Sequence, residues 1–188
     1  TATGDAIPVR QARTDGRTTT TAYAPATGHP TKITETSPPA TPGDATTAQT
    51  TNTDLDVLTG QPTTITDTNG NHTKYVYDAL GRATRIWLAD RASSNATPAN
   101  YEFTYTVAEG KAVAIGTKTL ENSGGQRTTY QILDGLLRER QTQEPGPGGG
   151  RVLSDIFYDD RGLPAKKFAP YYAEGAPRTA LFAMDDAL

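Results

Sequence analysis

The stretch Thr27-Gly28-His29-Pro30-Thr31-Lys32-Ile33-Thr34-Glu35-Thr36 returns 32 residues later as Thr59-Gly60-Gln61-Pro62-Thr63-Thr64-Ile65-Thr66-Asp67-Thr68. Seven of the ten positions are identical, and Glu35 and Asp67 are conservative. Each copy opens on a turn signal built around Gly28-x-Pro30 or Gly60-x-Pro62 and continues as a strand of period two. In the first copy Ile33 and Glu35 fall on one face and Thr34 and Thr36 on the other. A repeat at this spacing marks stacked supersecondary units.

A second motif recurs downstream. Tyr77-Asp78-Ala79-Leu80-Gly81-Arg82 aligns with Leu133-Asp134-Gly135-Leu136-Leu137-Arg138, and more loosely with Tyr158-Asp159-Asp160-Arg161-Gly162-Leu163. Strand-like runs precede the copies at 73–77, 128–133 and 152–158, and follow them at 83–88, 138–142 and 164–169. This is hairpin chemistry. Asp at a turn entrance accepts from backbone N–H groups two residues on, and Gly supplies the positive φ that closes the loop. Turn centres near Gly28, Gly60, Gly81, Gly110, Leu137 and Gly162 are separated by 32, 21, 29, 27 and 25 residues. Asn69-Gly70 is a further turn signal, between strands at 63–67 and 72–77. Tyr101, Phe103, Tyr105 and Val107 form one apolar face of the clearest alternating strand, with Glu102, Thr104 and Thr106 opposite.

Composition agrees with short strands and many turns. The chain has 188 residues, 35% of them hydrophobic, with 18 Gly, 13 Pro and abundant Thr. The mean hydropathy of −0.59 suits a sheet that buries one face. β-branched Thr favours pleated strands, and Gly and Pro punctuate turns. Disorder is the competing reading of so polar a chain, and the nine Tyr argue against it. The net charge is −3 with no run of Lys or Arg, so a nucleic-acid partner has no electrostatic footprint. No apolar stretch approaches the length of a membrane span. No signal peptide is visible at Thr1, and the absence of Cys does not decide the compartment.

The sequence divides into a leading strand or tail over 1–16, about five hairpin repeats over 17–172, and a tail or short helix over 173–188. All are read as one segment. Longer connections are expected at 37–53, 90–100 and 144–150, the last (Glu144-Pro145-Gly146-Pro147-Gly148-Gly149-Gly150) as a mobile linker. Helix formers gather only at 179–188.

Tyr77-Asp78-Ala79-Leu80-Gly81-Arg82, preceded by Asn69-Gly70-Asn71-His72-Thr73, resembles the YD repeat of RHS proteins. The Thr-Gly-x-Pro units look like degenerate copies. Other copies depart from the pattern: Leu133 stands for Tyr, Leu137 for Gly, and Arg161-Gly162 inverts the Gly-Arg order. The resemblance covers roughly 17–172 and implies an all-β, antiparallel ribbon of successive hairpins, part of a spiralling shell. RHS proteins, toxin-complex shells and teneurins are similar in building such shells, and in bacterial members the shell encloses a C-terminal toxin. Their self-cleaving core carries an Asp-Pro-x-Gly sequence that is absent here.

Residues with chemical potential are few. His29 and His72 are read as exposed turn residues, since no Cys or further His offers convergent ligands. Asp78, Asp134 and Asp159 are read as turn caps. The group Asp155, Asp159 and Asp160 lacks the loop pattern of a calcium site. Arg82, Arg85, Arg138 and Arg140 are read as partners of carboxylates across strands. No Ser occupies a nucleophile elbow, and the glycines at 146–150 lack the Lys-Ser/Thr of a phosphate loop. The aromatics Tyr75, Tyr77, Trp87, Tyr101, Phe103, Tyr105, Phe157 and Tyr158 are read as cross-strand packing, with a sugar platform as the rival. No catalytic residue, cofactor or metal is therefore expected. The motif residues Tyr77, Asp78, Gly81, Arg82, Asp134, Arg138, Tyr158, Asp159, Gly162, Gly28, Pro30, Gly60 and Pro62 are assigned to turns. The function implied is a shell segment of a secreted or surface bacterial protein. Its partners would be neighbouring repeats of the parent chain and an encapsulated toxin, with no nucleic acid and no membrane span. A carbohydrate-binding or adhesion module is the alternative.

Overall fold

The computed structural model describes residues 9–12, 18–89, 91 and 97–183. They fall into two compact units, Thr1–Ala99 and Asn100–Leu188. Both are antiparallel hairpin ladders, in which each strand bonds to its neighbours in sequence.

The first unit runs β1 (Val9–Ala12), β2 (Thr18–Ala24), β3 (Lys32–Thr36), β4 (Thr50–Leu55), β5 (Pro62–Thr66), β6 (His72–Tyr77) and β7 (Ala83–Trp87). The second runs β8 (Tyr101–Thr106), β9 (Val113–Leu120), β10 (Gln126–Leu133), β11 (Glu139–Pro145), β12 (Arg151–Tyr158) and β13 (Pro164–Lys167). A last strand, β14 (Tyr171–Ala173), pairs with the first half of β12 while β13 pairs with the second half.

The units bury different amounts of themselves. In the first, only Trp87 and Ala99 are buried side chains among the described residues, and Trp87 Nε1 donates to the Thr97 carbonyl at 3.1 Å. Its strands are dominated by half-exposed threonines, such as Thr34, Thr36, Thr50 and Thr66. In the second, the register lines up one face in rows. Ala114, Ile132, Gln141 and Asp155 stand side by side across β9 to β12. Gly116, Tyr130, Gln143, Leu153 and Tyr171 form the next row. Ile132 is 0% exposed and Leu153 1%. Gly116 is required there: a Cβ would stand 2.9 Å from the Tyr130 ring and 2.4 Å from Thr104 Oγ1.

Two expectations change and a third narrows. The connection at 37–53 is shorter, because Thr50–Leu55 is strand β4, paired on both sides. Its polar residues give no alternation to read; pairing with β3 and β5 makes the strand. The connection itself is pinned at its neck, where the Ser37 N–H donates to the Gln49 carbonyl at 2.8 Å. The run at 144–150 is a closed turn, not a linker. Glu144 and Pro145 belong to β11, and the Gly146 N–H donates to the Gly150 carbonyl at 2.8 Å. The alternatives of tail or short helix narrow to a tail without helix as far as 183, and the remainder lies outside the described residues. Of the leading segment, Val9–Ala12 is a strand; the rest of 1–16 lies outside the described residues. No helix among the described residues is long and apolar enough to cross a membrane.

Candidate functional site

Two constellations stand out: a turn that recurs in both units, and a buried polar ladder in the second.

The turn is clearest at Asp78. Its N–H donates to the Arg82 carbonyl and its carbonyl accepts from Gly81 N–H, both at 2.9 Å. Its Oδ1 accepts from the Leu80 and Arg82 N–H groups at 2.9 Å each, and its Oδ2 takes Arg82 Nε at 2.7 Å. Gly81 supplies the left-handed φ of 76° at the closing position. Asp134 repeats every bond with Leu136, Leu137 and Arg138, and Leu137 takes the left-handed conformation at φ 60° although it is not glycine. Asp159 repeats the backbone bonds with Gly162 and Leu163. There Arg161, two residues on instead of four, reaches the same Oδ2 at 2.8 Å. The inverted Arg-Gly order thus preserves the ion pair. Arg82 and Arg138 pair inside their own turns, not across strands as expected, whereas Arg140 does pair across strands, with Asp155.

The turns expected at Gly60 and Asn69-Gly70 are of this kind too, headed by aspartates that the sequence reading did not single out. Asp56 Oδ1 accepts from the Leu58 and Thr59 N–H groups, and Asp67 Oδ1 from those of Asn69 and Asn71. The signal was an Asp three or four residues before Gly70 or Gly60. The turn headed by Glu121 has the same backbone bonds to Gly124 and Gly125 without a carboxylate clamp. All five aspartates are held below the usual carboxylate range. The leading cause is the Arg82 N–H at Asp78, the Arg138 side chain at Asp134 and the Leu163 N–H at Asp159. At Asp56 it is the Thr59 N–H, and at Asp67 the Asn71 side chain. A carboxylate kept ionised by N–H donors is a weak proton acceptor, so the geometry favours turn closure over acid–base work.

Consecutive turns on one sheet edge are stapled together. Tyr77 hydroxyl donates to the carbonyl of Pro62, the first residue of β5, at 2.8 Å. Tyr158 hydroxyl donates to the carbonyl of Glu139, the first residue of β11, also at 2.8 Å. Each tyrosine thereby holds the exit of the preceding turn. The exit residue reaches forward in turn. Gln61 Nε2 donates to the Gly81 carbonyl at 2.7 Å, and the Arg138 guanidinium lies 4.1 Å over the Tyr158 ring. A Cβ on Gly81 or Gly162 would stand 3.2 Å from Gln61 or 3.1 Å from Arg138, so these glycines serve close approach as well as φ. Of the other motif residues, Gly28 and Gly60 take φ of 86° and 70°, Pro30 lies in the first turn, and Pro62 starts β5 at a bulge against Leu55.

The ladder lies on the covered face of the second unit. Asp155 is 3% exposed and meets Arg140, Tyr171 hydroxyl and Gln141. Burial and this carboxylate push the Tyr171 hydroxyl far up from its ordinary value, so it stays a donor. Gln141 Nε2 donates to Asp155 Oδ1 at 2.9 Å, and Gln143 Nε2 donates to Gln141 Oε1 at 2.8 Å. Both glutamines are 0% exposed. Across them runs the segment 176–182, joined by four side-chain amide bonds of 2.8–3.0 Å. Sequence reasoning singled out neither glutamine, and a lone polar pair in a strand carries no signal for this role.

The remaining candidates disperse. Asp155 enters the ladder, Asp159 its turn, and Asp160 is exposed, so the acidic trio does not converge. His72 Nδ1 bonds Thr66 Oγ1 at 2.9 Å and His29 is exposed in a turn. Among the described residues no three His, Asp or Glu side chains gather as a metal site would require. Phe157 packs at 5.7 Å against Phe168 and under the Arg140 guanidinium at 3.6 Å, and Tyr75 stacks on Tyr77.

The RHS Repeat family model matches residues 58–86, which carry β5, β6 and most of β7 with the Asp67 and Asp78 turns between them. No curated protein matches the chain. This match, together with the stapled, aspartate-headed hairpins of both units, supports an RHS/YD-repeat protein.

Proposed function

We propose that the chain is a structural stretch of the β-shell of a large secreted or surface RHS-type protein, a shell that encloses a C-terminal toxin domain, and that it performs no catalysis itself. The observation that carries this reading is the staple. A tyrosine hydroxyl bound to the exit of the preceding turn has a use only in an array, where each hairpin fixes its neighbour. The motif residues Tyr77, Asp78, Gly81, Arg82, Asp134, Arg138, Tyr158, Asp159 and Gly162 then act as closures and staples of that array. So do Gly28, Pro30, Gly60 and Pro62 at the earlier turns. The partners are further repeats of the parent chain and the enclosed cargo. All the turns with Tyr-Asp or its equivalent lie on one edge within each unit, which suits a wall that grows by adding hairpins sideways.

The test is the full-length parent protein. Electron microscopy should show a hollow wall with density inside, and limited proteolysis should spare the C-terminal domain while the wall is intact. A C-terminal domain cleaved as fast as the free domain would overturn the reading. Specific binding of this chain to a glycan array would replace it with an adhesion module.

A further inference from the structure

The polar ladder of the second unit has a geometry that turn closure does not use. The main-chain groups that meet it are the carbonyl of Ala176, the N–H of Arg178, the carbonyl of Ala180, and both the N–H and the carbonyl of Phe182. All belong to even-numbered residues. These alternate residues turn their main-chain groups to one side, and the chain bends at Thr179 and Ala180 between them, so the segment curves over the two glutamines without forming a strand. Its partner is not a backbone. Gln141 meets Phe182 as a residue in a bridge pair would, giving Nε2 to its carbonyl and taking its N–H on Oε1, both at 2.9 Å. Gln143 instead spans the bend, giving Nε2 to the Ala180 carbonyl at 2.8 Å and taking the Arg178 N–H on Oε1 at 3.0 Å.

Asp155 sets the direction of these amides. Paired with Arg140, it accepts only, so Gln141 must turn Nε2 toward it. Gln141 Oε1 then faces Gln143 and takes its Nε2, which leaves Gln143 Oε1 free to accept from Arg178. Gln141 thereby fills both donor and both acceptor places, two of them with Phe182. Arg151, 4% exposed, donates Nη1 to the Ala176 carbonyl at 3.0 Å and lies 4.7 Å over the Phe182 ring, with its Nε unpartnered among the described residues. Side chains contribute little else: Arg178, Ala180 and Leu181 are exposed.

We propose that the face of β11 and β12 is a peptide-binding site that reads the main chain of a bent, non-helical segment through Gln141, Gln143 and Arg151, and that 176–182 is its ligand in cis. The class of ligand is a short polypeptide that bends as the chain does at Thr179 and Ala180 and carries an aromatic residue at the Phe182 position, otherwise indifferent to sequence. This goes beyond the shell reading and does not depend on it.

The experiment uses the full chain with a protease-recognition sequence inserted between the exposed Glu174 and Gly175. After cleavage the released segment should stay with the folded part through gel filtration and exchange with a labelled synthetic peptide of residues 176–183. The same peptide carrying Arg178→Ala and Thr179→Ala should compete within about threefold. A peptide N-methylated at Phe182, which cannot donate to Gln141, should compete about tenfold worse or more, with the host protein unchanged. In the host, Gln141→Leu with Gln143→Leu should release the segment on cleavage, its fold checked by circular dichroism. Loss of the segment from the unsubstituted cleaved protein would overturn the proposal. So would an N-methyl peptide that competes as well as the parent, or an Arg178→Ala, Thr179→Ala peptide that does not compete at all.

Discussion

The hairpin that closes at Asp78 and the hairpin that closes at Asp134 share every turn bond, yet the strands they join live in different surroundings. Around the first, β3 to β6 present half-exposed threonines, and no side chain of those strands is buried. Around the second, β10 to β12 bury Ile132, Leu153 and four polar side chains, three of which are bonded to the chain's own 176–182. Turn chemistry is therefore independent of what covers the sheet. The hairpin order is set at the edges by short-range bonds, and each face is left to hold whatever is laid on it. Threonine can serve an uncovered face because its β-branch favours the strand and its hydroxyl tolerates water, as in the Thr34–Asn52 bond at 2.9 Å.

The largest expected effect separates the two faces directly. Ending the chain after Ala173 strips Gln141 and Gln143 of their main-chain partners and should destabilise the second unit by about 3 kcal/mol or more. Hydrogen exchange should report it in β10–β12 and not in β2–β6; equal protection with and without the segment would remove the distinction. Next, Ile132→Ala should cost about 2–5 kcal/mol in a chemical melt, and Ile65→Ala in the open first unit clearly less. Equal losses would mean that the first face is covered too.

Acid should act on both units alike. Each turn aspartate is more acidic in the folded chain than in the unfolded one. Its stabilisation is present above the unfolded value and is lost as pH falls below about 4, through the depressed folded values. Urea midpoints taken from pH 7 to 3 should fall together for both units, and a fall confined to one would break the equivalence of the turns. Tyr158→Phe, which removes one staple, should cost about 0.5–1.5 kcal/mol, matched by Tyr77→Phe. The smallest effect has the opposite sign. Leu137→Gly should stabilise the Asp134 turn by up to about 1 kcal/mol, since Leu137 holds a φ of 60° that favours glycine.

The turns were legible because their chemistry is local. Asp78 to Gly81 spells out its own hydrogen bonds within four residues, and even the inverted Arg161-Gly162 copy announces itself. What the reading missed is long-range and polar. β4 is Thr50-Thr51-Asn52-Thr53-Asp54-Leu55, a segment whose strand character comes from its neighbours on both sides. The tail was read through its helix formers, but its conformation is decided by two glutamines 35–41 positions earlier in the chain. No propensity records a side-chain amide standing in for a backbone. Asp56 and Asp67 lay within reach of the same rule that found Asp78; the Asn69-Gly70 pair marked the second turn without its head, the Asp67–Asn71 closure.

The tyrosine staple also works as a gauge. Because a hydroxyl at the end of one strand must meet the carbonyl at the start of its neighbour, the two strands of each stapled pair, β5 with β6 and β11 with β12, are cut to matching length. Adding a pair of residues would carry the ring past its mark. The opposite edge has no such gauge, and there the chain is free to vary its arcs, from the long excursion between Ser37 and Gln49 to the short closure at Asp67. That edge is therefore where an inserted tag should be tolerated, while the gauged side keeps count.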